Sequence, residues 1–210
     1  MYIYNLYSGS YLSNCYILIS EGEDEKKHAA VVDPSADPCE IISFLNNENA
    51  VLDIIILTHG HFDHIISLDT LRDMTGAPAC VHENDAEMLT SGKKNAYSLF
   101  FGKDMKCKMA DRTLSDRDII HLGKEFLEVI HLPGHSKGSI ALMGQGILIT
   151  GDTLFSEGFG RFDLHGGDAT ALKHSLNKLK TLDQNLIIYP GHGDCGKLGQ
   201  ALQNISIFTT

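Results

Sequence analysis

In "ILTHGHFDHIISL", residues 56 to 68, His59, His61, Asp63 and His64 fall within six positions directly behind an apolar run. The same grammar recurs three times: "EVIHLPGH" ends on His135, "GILITGD" on Asp152 and "LIIYPGH" on His192. Each segment is an apolar strand, a tight turn containing Gly, and then His or Asp. Packing gives no reason to place imidazoles and carboxylates behind four apolar strands, so metal ligation is the chemistry expected. His59 and His61, two positions apart, project to one side of an extended loop, whereas Asp63 and His64 lie where the chain turns into a helix. Five imidazoles and two carboxylates exceed what one tetrahedral ion takes. Two divalent ions close together are therefore expected, with Asp152 the carboxylate placed to bridge them. His28, His82, His121, His131 and His174 follow no such pattern and are read as ordinary structural or surface histidines.

Holding these groups requires rigid strands with functional loops at one end, the usual place for a site in an open α/β sheet. "YIYNLY", "NCYILIS" and "HAAVVD" read as opening strands, with "EGEDEKK" a turn between the second and third. Pro38 and the spacing of Ile41, Ile42 and Leu45 predict a first helix beginning near Asp37. "VLDIIIL" is apolar throughout, as a strand buried on both faces would be. Behind the first motif, Ile65, Leu68, Leu71 and Met74 fall on one face of a helix stopped by Gly76. A strand "APACVH" and a helix "ENDAEMLT" follow, and residues 91 to 117 read as an insertion or loop able to cover a site. Four strand-like runs, "DIIHL", "KEFLEVIHL", "SIALM" and "GILIT", precede a helix capped by Asp168, a strand "NLIIYP" and a short last helix. The order predicts two similar halves packed sheet against sheet, with helices outside.

The 210 residues, 43% of them hydrophobic, fit a single domain over 1–210. A formal net charge of -10 argues against a nucleic-acid partner. No run approaches a membrane span, and the first residues lack the basic start and apolar block of an export signal, so no membrane partner and a cytoplasmic location are expected. Cys15, Cys39, Cys80, Cys107 and Cys195 are scattered and form no zinc-ribbon pair, which suggests a reduced compartment and incidental thiols.

The motif His59-Gly60-His61-Phe62-Asp63-His64, together with His135 in "LPGHSKGS", Asp152 in "TGDTLF" and His192 in "PGHGD", resembles the metallo-β-lactamase superfamily. The resemblance implies an α/β fold, a four-layer αββα sandwich, with two metal ions, zinc first and iron or manganese as alternatives. It assigns His59, His61 and His135 to one ion, and Asp63, His64 and His192 to the other. Asp152 and a hydroxide would bridge them, and Asp63 would add the catalytic role of accepting a proton or orienting the nucleophile. "SNCYIL", "VVDPS", "GDTLF" and "GRFDLHGGD" are similar to segments of the hydroxyacylglutathione hydrolase, or glyoxalase II, group.

That resemblance implies a metal-dependent hydrolase of a small thioester such as a hydroxyacyl (lactoyl) glutathione. Arg161 is the expected hold on a substrate carboxylate, and His165 and Lys137 lie near in sequence. Asp at 152, where the commonest true β-lactamases carry Cys, counts against β-lactamase activity. Four departures loosen the substrate: Phe159 replaces a family Cys, Asp194 falls where a Tyr is usual, Ile66-Ser67 replaces a Gly-Gly pair, and only Gly193 to Thr210 follow the last motif. A lactone or other ester is the alternative substrate. Iron-dependent persulfide dioxygenase activity is a further alternative, against which the intact second ligand set argues.

Overall fold

The computed structural model describes residues 1–7, 13–23 and 25–205, and these residues form two six-stranded sheets with helices on their outer faces. The first sheet runs in chain order through β1 (Tyr2–Tyr7), β2 (Asn14–Glu21), β3 (Lys27–Val32), β4 (Ala50–Ile56), β5 (Ala79–His82) and β6 (Arg112–Leu114). The second contains β7 (Ile119–Leu122), β8 (Glu125–His131), β9 (Ile140–Gly144), β10 (Ile147–Gly151), β11 (Ile187–Pro190) and β12 (Gly196–Lys197). Helices α1 (Pro38–Glu48), α2 (Phe62–Ile65), α3 (Leu68–Thr75), α4 (Ala86–Leu89) and α5 (Tyr97–Phe101) belong to the first half, and α6 (Ala169–Leu179) and α7 (Leu198–Asn204) to the second. Where a helix intervenes, as between β3 and β4 or β10 and β11, the strands pair in parallel; where a short turn joins them, as from β7 to β10, they pair antiparallel.

Alternation along β2 shows how the layers are made. Tyr16 and Leu18 point between the sheets, toward Leu127, Val129, Leu142 and Ile149, while Ile17 and Ile19 point outward to Ile41, Leu45, Leu68 and Leu71 on α1 and α3. On the far side, Leu148 and Ile188 meet Leu172, Leu176, Leu198 and Leu202 of α6 and α7. Both faces of each sheet are thus covered, which explains the continuously apolar strands. The expected αββα sandwich is the fold. No helix among the described residues is long and apolar enough to cross a membrane.

The helix starts follow their caps. The Asp37 carboxylate accepts from Cys39 N at 2.7 Å ahead of Pro38, and the Asp168 carboxylate accepts from Ala171 N at 2.9 Å. Four readings need correction. Residues 91 to 117 are not a bare loop, because they contain α5 and the edge strand β6, whose Cys80↔Arg112 to His82↔Leu114 register extends the sheet. Three residues in a polar stretch carry no visible period, and of them only Leu114 is buried in the core. The single helix expected from Ile65 to Met74 is two, because the chain breaks at Ile66–Ser67, where Ser67 N donates to Pro34 O. Met74, near its end, is 51% exposed rather than packed. The "ENDAEMLT" helix begins as a 3-10 turn over Glu83–Asp85, which leaves the Asp85 side chain free to bind elsewhere.

Candidate metal centre

Four strands of the two sheets end at one place. The loop after β4 carries His59 and His61, and the loop after β8 carries His135. His61 Nδ1 lies 2.8 Å from His135 Nε2, which lies 3.2 Å from His59 Nε2, and all three rings are buried. Two of the outer nitrogens are held: Thr58 Oγ1 is 3.1 Å from His59 Nδ1, and His135 Nδ1 donates to the backbone carbonyl of Arg161 at 2.6 Å, whereas His61 Nε2 is buried without a hydrogen bond. A proton fixed on Nδ1 leaves the lone pair of His135 on Nε2, facing the other two rings.

The second set adjoins the first. Asp63 and His64 come from the start of α2, and His192 follows β11. Asp63 Oδ2 is 3.2 Å from His192 Nε2 and 3.7 Å from His64 Nε2. Asp152, directly after β10, touches both sets: Oδ1 is 3.4 Å from His64 Nε2, and Oδ2 is 3.6 Å from His135 Nε2 and 3.5 Å from His192 Nε2. The seven residues singled out from the sequence therefore converge on one spot.

Their chemistry fits cations. His64 Nε2 and Asp152 Oδ1 are buried and face each other without making a hydrogen bond, a costly arrangement unless something binds both. Burial, aided by His135, pushes His61 down to about 3, and burial aided by His64 and His135 holds His59 well below its ordinary value. These imidazoles are neutral and ready to ligate. His64 behaves oppositely: burial favours its neutral form, yet Asp152, Asp63 and Asp33 together raise it well above the usual histidine range. Burial likewise opposes ionisation of Asp152, but His64, His135 and His59 hold its carboxyl well below the usual range. His192 is raised, because its bond to Asp63 and the charge of Asp152 outweigh burial. A proton on His64 thus occupies, in electrostatic terms, the place a second cation would take.

Two carboxylates that sequence reasoning passed over hold the frame. Asp33, at a left-handed φ of 52° after β3, accepts from Thr58 N at 2.7 Å and Thr58 Oγ1 at 2.6 Å, and its Oδ2 meets His64 Nδ1 at 3.0 Å. Its oxygens also lie within reach of His59 and His64 as a third possible ligand group, but these hydrogen bonds occupy them, so Asp33 orients His64. Asp85, wholly buried, accepts from Gly60 N at 3.1 Å, Ser136 Oγ at 2.6 Å and Gly138 N at 2.7 Å. It ties the His59–His61 loop to the loop after His135. Gly191 is a close approach in the same frame, since a Cβ there would collide with Asp152 Oδ1.

Above the centre lies a cleft of about 250 Å³ lined by His61, Asp63, His135, Asp152 and His192 on its floor and by Phe62, Ala96, Phe100, Phe155, Gly160, Arg161 and Leu164 around it. Arg161, expected to hold a substrate carboxylate, borders the cleft, and its guanidinium is forked to Asp163 through hydrogen bonds of 2.6 and 2.8 Å. Its clearest service to the centre is the backbone carbonyl under His135, a contact that no side-chain motif announces. Lys137 and His165 do not line the cleft; His165 Nε2 lies 3.5 Å from Glu87. Among the other histidines, His28 meets Asp53 at 2.7 Å and His82 stacks on His131 at 4.0 Å between ring centroids.

Residues 9–192 match the family described as the metallo-beta-lactamase superfamily. The chain is 32% identical over 188 residues to the probable metallo-hydrolase YqgX of Bacillus subtilis, covering 88% of this chain and 87% of that one. It is 30% identical over 181 residues to the hydroxyacylglutathione hydrolase GloC of Haemophilus influenzae, covering 84% and 85%. Among solved structures, that of the BLEG-1 B3 metallo-beta-lactamase superposes with a TM-score of 0.89 at 31% identity, covering 100% of both chains.

Proposed function

The chain belongs to the metallo-β-lactamase superfamily, and from that premise we propose that it is a dinuclear metal-dependent hydrolase of small acyl thioesters. The observation that carries this reading is the position of Asp152, whose two oxygens reach across both histidine groups. His59, His61 and His135 would hold one ion and Asp63, His64 and His192 the other, with Asp152 shared. Two divalent ions held there would lower the pKa of a bound water to near 7 and polarise an acyl oxygen.

The side chains supply the rest. Asp63, whose Oδ2 lies on the cleft floor beside His192, would orient the attacking water and take up its proton. His64, fixed by Asp33 at Nδ1, keeps its Nε2 aimed at Asp63 and Asp152. A thiolate leaves without a strong general acid because its parent thiol has a pKa of about 8.5, and among the described residues lining the cleft no acid stands apart from the seven. The similarity to GloC supports a hydroxyacyl thioester such as lactoylglutathione as first substrate. Cyclic acyl substrates, lactones and β-lactams, form the second reading, favoured by the full-length likeness to BLEG-1.

The test is a panel of acyl thioesters, lactones and β-lactams on metal-replete protein, with Asp63→Ala as control. Thioester hydrolysis is expected to lead by kcat/KM and to fall to background in Asp63→Ala. Saturated metal with no turnover of any thioester would overturn the reading.

Metal loading should also release protons. Because His64 and His192 are raised, the cluster carries a proton that ligation displaces; His59 and His61 carry none. Titrating chelated protein with Zn2+ at pH 7 in buffers of different ionisation enthalpy should show release of about one proton or more per chain. The sign follows: apparent affinity rises with pH until His64 has lost its proton, then levels. Heats independent of the buffer would contradict the assignment of His64.

A further inference from the structure

The wall of the cleft is as informative as its floor. Phe62, Ala96, Phe100, Phe155 and Leu164 border it, and Phe62 packs against Phe100 and Tyr97 with ring centroids 5.7 and 5.6 Å apart. α5 carries this surface outward, with Leu99 70% and Phe100 52% exposed. A second groove of about 420 Å³ shares Ala96 and Leu164 with the cleft and continues over Leu99, with Lys93, Ser98, Asp163 and His165 around it. An apolar strip of Leu164, Ala96 and Leu99 thus carries the wall of the cleft outward to α5, with the polar residues of the groove beside it. The one Lys or Arg lining the cleft among the described residues is Arg161, and its fork is taken by Asp163.

Such a strip suits a ligand segment that is apolar where it lies against Phe100, Leu164, Ala96 and Leu99. Resting on the hydrolase reading above, but extending the acyl group beyond the short hydroxyacyl that the likeness to GloC supports, we infer that the site also takes acyl portions that are straight or lightly branched aliphatic chains, laid from the centre past Phe100 and Leu164 onto Leu99. An apolar acyl group gains affinity there from each methylene it buries, whereas a polar acyl group gains nothing from this wall. Phe100 and Leu99 are then specificity-determining residues, acting on chain length.

The experiment measures binding, so that it stands apart from turnover. Straight-chain carboxylates from acetate to octanoate are titrated into metal-replete protein, the carboxylate standing in for the reacting carbonyl. Affinity is expected to rise about fourfold per added methylene. The slope should flatten in Phe100→Ala and in Leu99→Asp, and persist in Met109→Ala, an exposed apolar side chain that lines neither groove. A flat dependence in the unaltered protein overturns the inference. So does a dimer in sedimentation that Leu99→Asp dissociates while the slope is flat, since a second copy then covers the surface. Absence of thioester turnover with the slope intact counts against the hydrolase reading and leaves the strip in place.

Discussion

Replacing Asp152 with alanine should lower kcat/KM on the best substrate of the panel at least about a thousandfold, ~4 kcal/mol of transition-state stabilisation. It should also halve or abolish tightly held divalent metal. The reason is placement: one carboxylate lies within 3.4 to 3.6 Å of ring nitrogens from His64, His135 and His192, and so belongs to both groups. Without it, two sets of cationic charge would be gathered in a buried space with only Asp63 between them. Asp152→Asn separates charge from shape. It keeps the size and one acceptor oxygen but loses the anion, and is expected to fold normally while losing most of the activity. Metal content by elemental analysis, measured beside the kinetics, decides the matter. A large loss of activity with both metals retained would sink the bridging role.

How much of this could be read from the chain alone depends on where each signal lies. The seven convergent residues were legible because every one follows an apolar strand, in or just after a turn containing Gly, a local pattern seen in four segments. The layers were legible for the same reason, since strands covered on both faces read as unbroken apolar runs. Asp33 and Asp85 were not, because their meaning lies in partners far along the chain. Asp33 meets Thr58 and His64 across 25 and 31 positions, and Asp85 meets Ser136 and Gly138 across 51 and 53. In sequence, one looks like a turn residue before Pro34 and the other like part of a helix start.

Arg161 shows the converse. Its type suggested a hand for a carboxylate, yet Asp163 two positions later takes the guanidinium and the backbone carbonyl does the supporting. Backbone groups carry no residue signature, so that support could appear only in three dimensions. β6 was hidden likewise, because three residues of "RTL" show no period and the strand exists by virtue of its neighbour β5.

The second large effect is expected at Asp85, and it separates holding the centre from forming it. Asp85→Ala removes the acceptor of Gly60 N and Gly138 N and of the Ser136 hydroxyl, all in a buried place. Ser136 keeps an alternative in Ser139 at 2.7 Å. The two backbone amides have none in view, and leaving them unsatisfied should cost about 3 kcal/mol of stability, a fall in Tm of about 10 °C for a chain of this size. Asn cannot restore the site fully, because only one of its two terminal atoms accepts, so its amide nitrogen must face one of those donors. Asp85→Asn is therefore expected to fold with a smaller loss, about 1 to 2 kcal/mol. Both variants loosen the tie between the loop of His59 and His61 and the loop of His135. The ion held by those three should bind about 10- to 100-fold more weakly, while the Asp63, His64 and His192 group, tied instead through Asp33, is less affected. Thermal unfolding of chelated protein reads the stability term alone, and stepwise metal titration reads the positioning term. Equal weakening of both ions in Asp85→Asn would assign Asp85 to general stability and remove its specific hold on the first three histidines.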